Sequence, residues 1–315
     1  MSNETRPLIV IAGSLSKQGR SVAHSLLQSG RYRVRALTRR TDSPEAVKLA
    51  NAGAELVAVP LAGGRKDEFT KAFLGANGAF LLTPGVVPPE TTEFEIGKEL
   101  VDAATEAGVK HIVFSSLEDV HTITQGKILA RHFTEKARVE AYIRGLPVTS
   151  SFIELAFFYT NLLEYYPPRL DGDTLVFPIY LPEYFPTPFV DPLTATGPAV
   201  LEIFDHPSTY AGQTLPVIGD IISPAEMVAT FSRVSGQKAA YIPAHTSEDF
   251  RTNFPQFSQD FVHETMEMVE YAVQYGYFRS DRDIEWSRKN NPDTLNWEQF
   301  LRNTGWDGQK KVFGL

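Results

Sequence analysis

An α/β fold with a doubly wound parallel sheet follows from three observations on this sequence. Short, almost wholly apolar runs recur through the first half of the chain. Helical stretches with one apolar face separate them, and the first strand and helix are joined by a turn with glycines at 13 and 19. Apolar runs without alternation suit strands buried on both faces. Strand and helix in alternation imply parallel neighbours joined by right-handed crossovers.

The elements follow in order. Residues 8–12 form the first strand, residues 13–19 the turn, and Val22, Ala23, Leu26 and Leu27 the apolar face of the first helix. Residues 33–37 form a second strand that ends at Thr38, Arg39 and Arg40. Third and fourth strands fall at 55–59 and 79–82, a helix at 94–107, and a fifth strand at 111–114. A helix at 133–144 is stopped by Gly145 and Pro147, and residues 148–153 make a sixth strand. Beyond residue 156 the composition changes. Ten aromatics fall within residues 157–189, where the chain average of 11% would place about four. This stretch is expected to build a smaller α/β lobe, its aromatics forming that lobe's core, with a flat ligand pocket or a partner interface as alternatives. Asp191 before Pro192 reads as a helix cap rather than a catalytic acid, with the helix running over 193–204. Residues 215–219 are a strand end, Ser223 opens another capped helix to about 235, and helices are expected at 261–277 and 296–302. Residues 1–155 are thus expected to form one unit, with later segments returning to it, and 156–315 the smaller lobe.

Composition narrows the chemistry. The chain has 315 residues, 43% hydrophobic and 22% charged, with a net charge of −8 and no cysteine. Disulfides and thiol chemistry are excluded, and a reducing cytoplasm is the expected location. No apolar run reaches membrane-spanning length, and no basic face is visible for nucleic acid. The seven histidines lack metal-site spacing, so no metal is expected.

The first turn carries the strongest functional signal. A glycine turn between a buried strand and a helix offers free N–H groups and the positive helix end to a pyrophosphate. Here the pattern is G-x-x-S-x-x-G: Gly13, Ser14, Leu15, Ser16, Gln18 and Gly19 are the candidate contacts. Ser16 stands where a third glycine is expected and lacks glycine's easy positive φ. The second strand ends without an acidic residue for a ribose 2′-OH. Arg39 and Arg40 stand there instead, suited to a 2′-phosphate, so NADP(H) is expected over NAD(H). The alternative is a solvated basic strand end.

Further candidates lie at the carboxyl ends of the other strands. Thr83 follows the fourth strand, Ser115 the fifth, and His132 and Lys136 lie four apart on the next helix. Ser115 is read either as a contact to substrate or nicotinamide or as a local backbone cap. Tyr159 and Tyr165 are secondary candidates for proton donation, with aromatic packing as their alternative role.

Several of these segments together resemble the NmrA-like group of atypical short-chain dehydrogenases/reductases, over nearly the whole chain. The matching stretches are Ile-Ala-Gly with Gln-Gly-Arg-Ser-Val in the first turn, Val-Arg-Ala-Leu-Thr-Arg at 34–39, and the run from Gly78 to Thr83. Others are Phe114 to Glu118, His132-Phe133 with Lys136 and Val139-Glu140, Phe158 with Asn161 to Leu163, and Ser223 to Glu226. The resemblance implies a Rossmann domain that binds NADP(H), with a smaller lobe closing a cleft over the nicotinamide. It implies that Arg39 neutralises the 2′-phosphate, that Lys136 reaches the nicotinamide ribose, and that Thr83 and Phe158 join the cofactor site. The chain departs from the family at Ser16 and at Pro60-Leu61-Ala62, which replaces a Gly-Asp type sequence.

Catalysis in this superfamily uses Tyr-x-x-x-Lys, and the tyrosine position here is His132. Histidine can donate a proton near neutral pH, so His132, Lys136 and Ser115 form the candidate catalytic set. A surface or helix-capping histidine is the alternative. Two functions follow: an NADPH-dependent reductase of a small carbonyl or aromatic metabolite, or a catalytically silent NADP(H) redox sensor that regulates a protein partner. The second reading admits a nuclear location, and a homodimer is left open for either.

Overall fold

The computed structural model describes residues 6–85 and 91–313. Seven parallel strands form its main sheet in the order β11-β6-β5-β4-β1-β2-β3. These are β1 (Leu8–Ile11), β2 (Arg33–Thr38), β3 (Glu55–Ala58), β4 (Gly78–Leu81), β5 (His111–Ser116), β6 (Thr149–Leu155) and β11 (Thr214–Val217). The apolar runs are strands for the reason expected: β1, β4 and β5 are buried along their whole length. On one face Val22, Ala23 and Leu26 of the helix Lys17–Ser29 pack with Ala195, Val200 and Ile203 of the helix Pro192–Asp205. The other face is covered by Phe69, Phe73, Leu100, Val101 and Ile143. At about 1.5–3 kcal/mol for each large apolar side chain buried, these two layers carry the main driving force for the sheet.

The lobe expected beyond residue 156 holds two small sheets. One is β12-β10-β7, with β7 (Phe157–Phe158), β10 (Thr187–Val190) and β12 (Asp220–Ile222). The other is β13-β9-β8, with β8 (Arg169–Asp171), β9 (Thr174–Ile179) and β13 (Ala239–Pro243). The aromatic stretch divides between two roles. Phe157, Tyr159, Tyr166, Phe177, Tyr180 and Phe189 enter the lobe's core, whereas Phe158 and Tyr165 face a cavity. Asp191 is the helix cap: it accepts from Leu193 N–H at 3.1 Å and from Thr194 Oγ1 at 2.8 Å.

A buried ionic cluster ties the C-terminal segment to the sheet. Arg282 donates from Nε to Glu154 at 2.9 Å and from its terminal nitrogen to Glu118 at 3.0 Å. Both carboxylates are buried, with one guanidinium between them. Burial first, and then the neighbouring Glu118, push the Glu154 carboxyl up to about 8. Two buried carboxylates facing one cation hold a proton at neutral pH.

Candidate functional site

The strand order reverses between β1 and β4, and a crevice opens over the carboxyl ends of those strands. A cavity of about 920 Å³ fills it. That volume is at the upper end for small-molecule and cofactor sites, roughly 300–1,000 Å³.

The glycine turn forms the cavity's central wall. Gly13 has φ +68°, and a Cβ there would lie 2.6 Å from Leu82 Cδ1. Gly19 is tighter: a Cβ would fall 2.2 Å from the Gly13 carbonyl oxygen, so turn and helix can meet only with glycine present. Ser16 corrects the expectation that a positive φ is required at its position. Its backbone is extended, with φ −64° and ψ 164°, and its Oγ accepts from Gly19 N–H at 3.0 Å. It is the N-cap of the first helix, and capping is what serine does well there. Leu15 and Gln18 line the cavity as expected. Ser14 does not. Its buried Oγ donates to the Leu37 carbonyl at 2.8 Å, tying the turn to β2. Gly19 likewise acts through packing rather than as a wall residue.

Arg39 and Arg40 border the cavity at the end of β2, both exposed. Among the described residues the Arg39 guanidinium has no ion-pair or hydrogen-bond partner, and that of Arg40 has only Asp42, 3.9 Å away. An exposed pair at that distance is worth little, about 0–1 kcal/mol at most. Leu37, Val59 and Leu61 make the adjoining wall apolar.

The opposite half of the cavity lies over β4, β5 and β6. Thr83 and Lys136 both line it. Lys136 Nζ donates to Glu93, with Thr83 Oγ1 and the Thr83 carbonyl each 3.4 Å away, and Thr83 Oγ1 donates to the same carboxylate. Glu93 is buried, so this wall is a closed lysine–glutamate–threonine unit. Lys17, the first residue of the helix after the turn, pairs with Glu164, and its Nζ lies 5.4 Å from the centre of the Tyr165 ring. Phe158, Asn161, Glu164 and Tyr165 complete this half.

His132 stands elsewhere. Its Nδ1 and backbone N–H both donate to Glu264 Oε1, at 2.5 and 2.7 Å, and it does not line the cavity. Burial alone would raise the Glu264 carboxyl, yet the bonds from His132 hold it below its ordinary value. Four helical residues turn about 400° and rise about 6 Å, so two side chains on one face need not reach one cavity. Ser115 is also outside the cavity wall and caps no local backbone. Its buried Oγ donates to Gln18 Oε1 at 2.8 Å, so it orients a wall residue. Tyr159 is buried in the lobe's aromatic core, its ring 5.7 Å from Phe189 and 5.2 Å from Trp297, and among the described residues its hydroxyl has no hydrogen-bond partner.

Sequence reasoning did not single out Lys17, Glu93, Asn161 and Glu164 as site residues. For Lys17 a signal existed, since a lysine between two turn glycines is forced close to whatever the turn holds. Glu93 and Glu164 carried none, because their partners lie 43 and 147 residues away.

Comparison with known proteins agrees with this architecture. An oxidoreductase of Aspergillus flavus, the NmrA-like family domain-containing oxidoreductase lnaB, is 35% identical over 273 residues, or 81% of either chain. The similarly named FrzB of Cladobotryum sp. is 34% identical over 75% of this chain and 76% of its own. Among solved structures, NmrA, a negative transcriptional regulator, superposes with a TM-score of 0.80 over 95% of both chains at 24% identity. Triphenylmethane reductase of Citrobacter sp., solved with NADP(H), does so with a TM-score of 0.73 at 16% identity, over 94% of this chain and 99% of its own. Those two likenesses establish a common fold. The NmrA-like family model itself matches residues 5–301, and with relatives of this identity over most of its length the chain belongs to the NmrA-like family.

Proposed function

We propose that the chain is an NADP(H)-dependent oxidoreductase that reduces a small carbonyl-bearing or aromatic metabolite. The single observation that carries this reading is Arg39, a guanidinium without a partner among the described residues, at the rim of a cavity whose central wall is a glycine turn capped by Ser16. The residues fit the cofactor: a Cβ at Gly13 would press on Leu82 and Leu61 of the cavity wall, and Gly19 lets the helix start close on the turn, so the turn can lie near a pyrophosphate. In this reading Gly13, Leu15, Ser16 and Gln18 border the pyrophosphate, Arg39 and Arg40 take the 2′-phosphate, and Leu61 covers the purine. Thr83, Lys136 and Phe158 border the nicotinamide half, with Lys136 oriented by Glu93. Bound NADPH supplies the hydride, and the chain supplies orientation, charge and exclusion of water. Relatives named as oxidoreductases support the assignment, as does the NADP(H) bound to triphenylmethane reductase.

Calorimetric titration with NADP⁺, NADPH, NAD⁺ and NADH tests it, repeated with Arg39→Ala. A charge-assisted hydrogen bond to phosphate is worth about 1.5–3 kcal/mol, so the variant should bind NADPH roughly 10- to 150-fold more weakly and NADH unchanged. Equal loss for both cofactors, or no binding of any to the wild type, refutes the reading.

A second reading, a silent NADP(H) sensor acting on a protein partner, draws on one observation: His132, at the superfamily's tyrosine position, stands outside the cavity. A sensor must bind the oxidised and reduced cofactors with different affinities. Equal affinities in the same titration remove it.

A further inference from the structure

Reduction of a carbonyl consumes a proton as well as a hydride. We propose, on the reading of the chain as an NADPH-dependent reductase, that Tyr165 Oη supplies this proton. The hydride adds to the carbonyl carbon as the C=O π bond opens. The oxygen takes the Tyr165 proton as the phenol O–H breaks, leaving an alcohol, the oxidised nicotinamide and a phenolate that water reprotonates.

The assignment rests on which cavity groups remain uncommitted. Lys136 is held by the buried Glu93, and Lys17 by Glu164. Thr83 donates its hydroxyl proton to Glu93. The remaining hydroxyls on the wall, those of Ser16, Thr38 and Ser43, are aliphatic alcohols and far weaker acids than a phenol. His132 and Tyr159 do not line the cavity at all. Tyr165 does line it, and among the described residues its hydroxyl has no hydrogen-bond partner.

Topology places Tyr165 correctly. It directly follows the short helix Tyr159–Glu164, beyond β6, and so lies in the half of the cavity over β4, β5 and β6. Arg39 marks the other half, so a dinucleotide held across the glycine turn brings its nicotinamide to the Tyr165 side. Asn161 and Phe158 stand beside it as further wall residues. The phenol carries its proton at neutral pH, because burial and Glu164 raise it above its ordinary value. The Lys17 ammonium, 5.4 Å from the ring centre, stabilises the phenolate as it forms. With 43% of its surface exposed, the residue can be reprotonated directly from water.

The experiment compares the full-length chain with Tyr165→Phe and His132→Gln. Calorimetry comes first: Tyr165→Phe should bind NADPH within about threefold of wild type, because the ring and the cofactor contacts remain. The ultraviolet absorbance of phenolate is then titrated between pH 8 and 11, and the variant's curve subtracted to isolate this phenol. With NADP⁺ bound, the positive nicotinamide beside Tyr165 should shift its ionisation to lower pH by about half a unit or more relative to NADPH. With 4-nitrobenzaldehyde as probe substrate, Tyr165→Phe should lose about 10²-fold in rate and His132→Gln less than twofold. Identical ionisation with either cofactor overturns the proposal, whether or not the probe turns over. So does a Tyr165→Phe variant that keeps more than half the wild-type rate. Absence of NADPH binding to the wild type overturns the reductase reading and this assignment together. Normal binding with an unmoved titration overturns the assignment alone.

Discussion

Replacing Lys136 with methionine should damage the fold before it reports on chemistry. Lys136 Nζ is paired with Glu93, and their side chains are 15% and 4% exposed. Removing the ammonium leaves Glu93 buried with, among the described residues, only the Thr83 hydroxyl for company. Breaking one partner from a buried pair typically costs about 3–5 kcal/mol, a large share of a domain's usual 5–15 kcal/mol. Neutralising both partners, in Lys136→Met with Glu93→Gln, removes the stranded charge and should return stability to within about 2 kcal/mol of wild type. Urea denaturation of the four proteins in this cycle measures the coupling directly. NADPH affinity in the double variant then isolates the lysine's contribution to binding. A single variant within 1 kcal/mol of wild type, by the scale expected for exposed pairs, would refute the argument. So would a double variant no more stable than the single.

Three other outcomes follow from the interior. His111 is pushed down to about 4 by burial, its Nε2 donating to Ser151 Oγ at 2.9 Å. The unfolded chain binds this proton first, so stability should fall as pH drops from about 6.5 toward 4. Stability measured at pH 7.5 and 4.5 should show roughly 2–3 kcal/mol less acid loss in His111→Gln than in wild type. Glu154 works in the opposite sense. With its carboxyl at about 8 in the fold and an ordinary value of 4.5, the folded state holds the proton longer, so stability declines between those values as pH rises. Melting temperatures from pH 5 to 9 should therefore favour Glu154→Gln progressively, and a constant difference would show that the pair does not titrate there. Gly197→Ala places a Cβ 2.1 Å from the Ser21 carbonyl oxygen, where the helices Lys17–Ser29 and Pro192–Asp205 cross. Such overpacking should cost about 1–3 kcal/mol in the urea midpoint, with NADPH affinity following only as the adjoining turn shifts.

The sheet was legible because its central strands are buried on both faces and so appear as unbroken apolar runs, β1 and β5 most plainly. The helices Pro44–Asn51 and Lys66–Phe73 were not singled out; the first buries only Ala46, too little for a visible period. In the lobe, β9 pairs with β13 from some sixty residues later, and no local pattern announces such a pairing. The site divided in the same way. Gly13, Gly19 and Arg39 were readable because one turn and one strand end supply them. The carboxylates that hold Lys17 and Lys136 come from distant segments. His132 misled because its spacing from Lys136 is local, whereas its partner Glu264 comes from the helix Gln259–Tyr275.

The late arrival of β11 and the helix Pro192–Asp205 bears on how the protein is made. The helix Lys17–Ser29 emerges early in synthesis, yet the helix that covers it lies more than 160 residues downstream. At about 5–20 residues per second, that face of the nascent chain stays open to water for on the order of ten seconds. The edge of β6 also lacks its neighbour until residues 214–217 have been translated. A ribosome stalled before that point would display a half-covered sheet with an open edge, a natural target for chaperones and a hazard for aggregation.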